Sequence, residues 1–246
     1  MALKASPAEQ ARLLELQTLD TRIRQLDHRA RSLPQLKVLA GLGVEADGLR
    51  VERLSATGAV EDAKLELGRI ESDVAVVEAR ITRDTDRLQS SSSVKDVAGL
   101  ESELSGLRKR QNDLEEIELT VMERLENLEA VLREANARVV EVEEKIAAAT
   151  VEKDAELLTI TDERAAAAAA RSALAAQVSD ELLALYQRQL DRYGAGASLL
   201  QYGTSSASGV KLNENDMQTI RAAAPDDVIL CPDSSAILVR TAESGL

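Results

Sequence analysis

Apolar residues recur along most of this chain at alternating steps of three and four, the spacing that keeps one stripe of an α-helix against a partner helix. The first run is Leu16, Leu19, Ile23, Leu26, Ala30 and Leu33. Ahead of it, Ser6-Pro7-Ala8-Glu9 sets a capping serine, a proline suited to the first helical position and a reciprocal glutamate in order, so a helix is predicted to start at Pro7. Ser32-Leu33-Pro34-Gln35 interrupts the stripe, because proline removes a helical hydrogen bond and crowds the preceding turn. A kink near residue 34 is expected, with Ser32 capping the next helix. From residue 35 to about 59 the stripe weakens, and Gly41, Gly43, Gly48 and Gly58 each cost helix stability, which makes this the softest stretch.

The stripe recovers through Val60, Ala63, Leu67, Ile70, Val74, Val77 and Ile81 before four serines, Ser90 to Ser93. Serines stop one helix and cap another, so a tight reversal is predicted near residue 91, with Ser92 or Ser93 as N-cap. Beyond it the longest stripe runs from Val97 through Leu100, Leu104, Leu107, Leu114, Val121 and Leu125 to Val139, Val142, Ile146 and Ala149, with only Gln111 and Glu118 polar. Two such stripes joined by a short turn predict a long antiparallel two-helix coiled-coil hairpin. Paired residue numbers should then total about 183, twice the tip position. That places Pro34 opposite Ala149, Pro7 opposite Ala176, and Leu13, Leu14 and Leu16 opposite the alanine run Ala165 to Ala170.

A further helix is predicted from Ser179 through Leu182, Leu183, Tyr186 and Leu190, ended by Gly194. Gly194-Ala195-Gly196-Ala197-Ser198 has the composition of a flexible linker, after which the periodicity changes. Short apolar runs at Leu199-Leu200, Val210 to Leu212, Val228 to Leu230 and Ile237 to Val239 predict strands, and Asn213 can cap a short helix reaching Ala223. The division expected is therefore residues 1–193 as hairpin and residues 194–246 as a small β-containing module, in a mainly α protein. A module of that size needs a metal, a disulfide or docking on another element to be stable.

Composition strengthens the helical reading. The chain has no Trp or Phe, and its three tyrosines, Tyr186, Tyr193 and Tyr202, all lie near the C-terminal module, where they are expected to pack it on the helices. A net charge of −13 disfavours nucleic-acid backbones and anionic lipid, and residues 194–246 are acidic too, with Lys211, Arg221 and Arg240 against six carboxylates. No run is long and apolar enough for a signal peptide or membrane span, so a cytoplasmic protein is expected. One cysteine, Cys231, allows no internal disulfide. A lone histidine, His28, lies between charged neighbours on the first helix, and no phosphate loop or nucleophile–base pair is visible, so an enzyme is not expected.

The tail carries a resemblance. Cys231-Pro232-Asp233-Ser234-Ser235-Ala236-Ile237-Leu238-Val239-Arg240 is similar to the second knuckle and exit strand of a bacterial family of coiled-coil hairpin proteins ending in a four-cysteine zinc ribbon. Ser205-Ser206-Ala207-Ser208 matches the first knuckle in spacing, and Ser179 to Tyr186 also resembles the family. The resemblance implies a zinc-ribbon-like module whose knuckle positions here are Ser205, Ser208, Cys231 and Ser234. Zinc gains its affinity from four deprotonated thiol or imidazole ligands, so one thiol with three hydroxyls predicts a degenerate, metal-free ribbon and no cofactor. The resemblance further implies protein partners, since related proteins are linked to secretion, flagellar assembly and transcription factors. An adaptor or chaperone-like scaffold is the function expected. A nucleic-acid-binding ribbon protein and a structural spacer are the alternatives, and a homodimer is compatible with the stripes.

Overall fold

The computed structural model describes residues 3–246. In chain order its elements are α1 (Pro7–Arg31), α2 (Pro34–Ser90), α3 (Val94–Ala175), α4 (Asp180–Tyr193), β1 (Ala197–Gln201), β2 (Thr204–Ser205), α5 (Glu214–Ala222), β3 (Ile229–Leu230) and β4 (Ile237–Val239). Contacts group them into two compact units, Met1–Pro34 with Glu152–Leu246, and Gln35–Val151. This grouping differs from a division at residue 193. The tail shares its core with α1 and α4, so its boundary is not where the composition changes.

Gln35–Val151 is an antiparallel hairpin of α2 on α3. Its seam buries Ala46, Leu49, Val60, Ala63 and Ile70 on one side and Leu100, Leu104, Leu114, Val121, Ala135, Val139 and Val142 on the other, close to the stripe read from the sequence. The glycines at 41, 43, 48 and 58 do not break α2, which runs through them unbroken. At the tip Ser90 closes α2 through its hydroxyl to the carbonyls of Asp86 and Arg87, while the Ser93 hydroxyl accepts from the Asp96 amide at 3.4 Å and caps α3. Gln111, half-buried in the stripe, donates its amide across the seam to Glu78 at 3.3 Å.

The register differs from the expected total of 183. Arg80 and Glu103 obey it, but Ala46 and Leu49 pack with Val139, Val142 and Ile146, further along α3 than a reversal about residue 91 allows. Two causes act in the same direction. The non-helical turn, Ser91 to Ser93, centres on Ser92. Helical side chains also lean toward their own N-termini, so in an antiparallel pair the residues that touch carry higher numbers than the backbones that lie level.

The second unit shows the same displacement. Leu13 and Leu16 do not face the alanine run; they pack with Leu174, Ala175, Val178, Leu182 and Tyr186. The run instead lies among the inter-helix pairs Arg22–Glu163, Arg164–Asp27 and Arg171–Asp20, with Ala167 buried. The capping box forms as expected, with the Glu9 amide donating to the Ser6 hydroxyl at 3.2 Å and the Ser6 amide donating to the Glu9 carboxylate at 3.1 Å. Ser32 does not cap α2. Its hydroxyl donates to the His28 carbonyl at 2.8 Å and so closes α1, leaving a two-residue break before Pro34. Ser179 holds the N-cap position of α4 without a side-chain bond.

The four strands form one sheet in the order β2-β1-β4-β3, with β1 and β4 parallel. Side chains alternate across β4, so Ile237 and Val239 enter the core with Leu13, Leu16 and Tyr186, while Leu238 enters a second core with Leu200, Leu212, Met217, Ile220 and Cys231. The docking that so small a module requires is thus supplied by α1 and α4. Gly194 to Ser198 is accordingly no flexible linker: Ala197 and Ser198 are buried and begin β1. The strand expected at Val210 to Leu212 is reduced to a single bridge between Lys211 and Thr204, because the preceding residues form a tight turn. Leu3 to Ala5 adds to the assembly, with the Ala5 amide donating to the Asp226 carbonyl at 2.9 Å and the Val228 amide donating to the Leu3 carbonyl at 3.1 Å.

Candidate functional site

The knuckle positions lie on two turns of the same construction. The Ser205 amide donates to the Val210 carbonyl at 3.1 Å, and the Cys231 amide donates to that of Ala236 at 2.8 Å. Four residues after each start, the amides of Gly209 and Ser235 donate back to the Ser205 and Cys231 carbonyls at 2.8 and 2.9 Å. Both of those residues have positive φ, 69° and 57°. The Ser208 and Ser234 hydroxyls accept from the amides two residues on, at 3.2 and 3.4 Å. Glycine at 209 adopts this conformation without penalty, whereas Ser235 holds it against the crowding of its Cβ.

Ser205 and Cys231 are buried, while Ser208 and Ser234 are half-buried. Burial opposes ionisation of the Cys231 thiol, but the hydroxyls of Ser205 and Ser234 and the amides of Ser234 and Asp233 outweigh it and hold the thiol below its usual range. Ser205 is engaged elsewhere as well, 2.7 Å from the Ser198 hydroxyl, which also accepts from the Ala207 amide at 3.0 Å. His28 is exposed on α1 and takes no part. Four positions offering one thiol and three neutral hydroxyls do not fit a structural Zn²⁺, which needs anionic sulfur or imidazole nitrogen at each corner. No group of three or more His, Cys, Asp or Glu suited to a metal occurs among the described residues.

The contact between tail and helices is a buried polar network that the apolar stripe does not reveal. Tyr186, fully buried, donates its phenol to Asp20 at 2.8 Å, and Arg171 reaches both Asp20 and the Gln187 side chain. Burial, and then the bond to the Asp20 carboxylate, raise the Tyr186 pKa far above its ordinary value. Of the three tyrosines, only this one carries the contact, because Tyr193 is 49 % and Tyr202 73 % exposed. Gln17 accepts from the amides of Gly196 and Ala197 at 2.7 and 3.2 Å, which fixes the start of β1 on α1. At Gly196 an added Cβ would stand 2.4 and 2.5 Å from two Tyr186 ring carbons and 2.8 Å from its carbonyl oxygen, so glycine is the residue that fits without displacing the ring. Asp20 and Gln17 were missed because the stripe was followed through Leu19; the spacing Leu13, Leu16, Asp20 was the available signal.

Arg240 is likewise structural. Its guanidinium donates to the carbonyls of Ile220, Ala223, Ala224, Pro225 and Asp227 at 2.7–3.4 Å, gathering the end of α5 and the loop after it. Arg221 pairs with Glu214 at 2.7 Å.

Within Gln35–Val151 a groove of about 580 Å³ opens between α2 and α3, lined by Val51, Ala56, Ala59, Leu128, Val131 and Ala135 and edged by Glu52, Glu134 and Arg138. Val51 and Val131 are 68 % and 55 % exposed. Val44 and Leu65, also exposed, stand seven before and fourteen after Val51, so they share its side of α2.

The fold and these sites define a helical-hairpin protein with a small docked sheet. The chain belongs to the CT398-like coiled coil hairpin domain family, which matches residues 16–194. It is 34 % identical to Mycobacterium tuberculosis Rv2229c over 239 residues, covering 97 % of this chain and 98 % of that one. A solved Mycobacterium smegmatis structure superposes with a TM-score of 0.86 at 33 % identity, over 97 % of this chain and all of the other. The Chlamydia trachomatis CT398 structure shares the fold, with a TM-score of 0.64 at 17 % identity over 94 % of this chain and 97 % of that one. Among the described residues no helix is long and apolar enough to cross a membrane.

Proposed function

We propose that this protein is a non-enzymatic interaction element, an adaptor or chaperone-like scaffold, that docks an apolar, basic-flanked helix of another protein in the groove of Gln35–Val151. The observation that carries this reading is the exposed stripe Val44, Val51 and Leu65 beside a groove floored by Ala56, Ala59, Leu128 and Ala135. Apolar side chains spaced for a helix but left in water favour a helical partner. Charge selects the kind. Residues 35–151 carry 16 basic side chains against 25 acidic ones, so a partner helix with lysine or arginine along its edges is complementary.

A nucleic-acid role draws less support. In the tail Arg240 is spent on backbone carbonyls and Arg221 on Glu214, which leaves Lys211 as the remaining basic residue of an acidic segment.

A photo-crosslinker placed at Ser55 on the groove tests the docking reading in the full chain. The expected product is one dominant partner, crosslinked through an amphipathic helix with basic flanks, and lost in V51E/V131E while helical circular dichroism is unchanged. Crosslinking that survives those charges, or no product at all as a spacer predicts, overturns the proposal. Crosslinks solely to a second copy, with a doubled mass in light scattering, replace it with a homodimer.

A further inference from the structure

The two matching turns leave open what closes the tail, since their side chains do not fit the zinc ion that the resemblance implies for them. Ser198 lies on β1, fully buried, on the same face of the strand as Leu200. Its hydroxyl accepts from the Ala207 amide and stands 2.7 Å from Ser205 and 3.4 Å from Ser206. Ser206 in turn is tied to β1 twice, its hydroxyl accepting from the Leu199 amide and its own amide donating to the Leu199 carbonyl, both at 2.9 Å. The first turn is therefore fastened to the sheet through hydroxyls at Ser198, Ser205 and Ser206. The second turn is fastened through its backbone, and its Cys231 side chain is buried in the core with Leu200 and Leu238.

We propose that the buried Ser198–Ser205 hydroxyl pair closes the tail in place of a metal, and that the two turns nevertheless keep a cradle that thiols at Ser205, Ser208 and Ser234 would convert into a zinc site. The physical argument has two parts. A buried hydroxyl stripped of its partner carries the full cost of desolvation, so the pair acts as a lock and not as an ornament. The cradle, for its part, is set by backbone bonds that repeat from one turn to the other and use none of the side chains at the four positions. Serine at these positions removes metal affinity without removing the turns. Docking on α1 and α4 supplies the stability that a free-standing module of this size would draw from the ion. The inference concerns the tail and does not depend on what occupies the hairpin groove.

Cys231 provides the local readout, because alkylation of its buried thiol reports opening of the second core. In the full-length protein, chelator is expected to leave both the alkylation rate and the melting temperature of the wild type unchanged. Ser198→Ala and Ser205→Ala are each expected to speed alkylation about tenfold, the equivalent of one lost buried hydrogen bond, with helical circular dichroism retained. The S205C/S208C/S234C variant is expected to bind one Co²⁺ per chain with the absorption of a tetrahedral thiolate site. Chelator-accelerated alkylation of the wild type, or unchanged alkylation in both serine variants, overturns the lock. Failure of the three-thiol variant to bind Co²⁺ while folded overturns the cradle. If the serine variants do not fold, the wild-type chelator comparison still decides whether a metal closes the tail.

Discussion

The two compact units obtain their cohesion in opposite ways. Gln35–Val151 is held by a narrow seam of Ala, Val, Leu and Ile, flanked by exposed ion pairs such as Arg50–Glu143 and Arg138–Glu52. Such pairs contribute only about 0–1 kcal/mol each, so its stability accrues in small increments along the helices. The other unit concentrates its contacts: Leu13, Leu16, Leu182, Tyr186, Ile237 and Val239 are all fully buried, and a polar network runs through them. Distributed cohesion tolerates local damage, whereas concentrated cohesion does not.

The sharpest way to break this comparison is at Tyr186. Tyr186→Ala should destabilise the protein by about 3–5 kcal/mol, by cavity formation and by removing one of the two side-chain donors to Asp20, as measured by chemical denaturation. If its effect is no greater than that of Leu49→Ala, expected near the lower end of about 2–5 kcal/mol, the units do not differ as described. Gly196→Ala should follow at about 1–3 kcal/mol, since its methyl group must displace the tyrosine ring.

Alkali gives a separate test. The folded pKa of Tyr186 lies above the unfolded value of 10.0, so its contribution is intact below pH 10 and is lost as pH rises from there toward the folded value. Wild-type stability should fall above pH 10 with a slope that Tyr186→Phe reduces, the remainder belonging to groups such as Lys4 and Lys145 whose carboxylate partners also raise their pKa, although that variant is weaker at neutral pH for want of the hydrogen bond. A slope of the same size in both proteins would remove Tyr186 from the account. The smallest effects belong to the hairpin. Gly48 and Gly58 are exposed inside α2 with nothing within 4 Å of an added Cβ, so alanine at each should stabilise by up to about 1 kcal/mol. Destabilisation at either position would mean that the groove side of α2 is more closely packed than it is here.

The same contrast explains what could be read in advance. Most of the helical pattern was legible, because a coiled-coil seam repeats its spacing: the start at Pro7, the cap at Ser93 and the stripe from Leu100 to Val142 are where the pattern puts them, although Ser32 closes α1 instead of capping α2. Its register was not, since contact across the seam depends on the lean of side chains and on the centre of the turn. Around the tail the pattern misled. Gly196 has the composition of a linker but is glycine because a tyrosine ring lies against it, and Asp20 is buried because a phenol and a guanidinium from distant segments meet it. Asp20 is explained only by partners more than a hundred positions away, and Gly196 only by the fold that turns β1 back onto Tyr186. Ser198 and Ser206, in the same way, look like ordinary polar strand and turn residues until the first turn is folded over them.

The unit that contains the tail is also discontinuous: residues up to Pro34 share a core with residues from Glu152 onward. During synthesis, α1 leaves the ribosome long before α4 and the sheet that complete its core. Until then Leu13 and Leu16 are exposed, and pairing of α2 with α3 is what shortens the entropic distance between the two halves. The hairpin therefore has a role in the timetable of folding, and lesions in it should show first as a delayed or chaperone-dependent maturation of the tail.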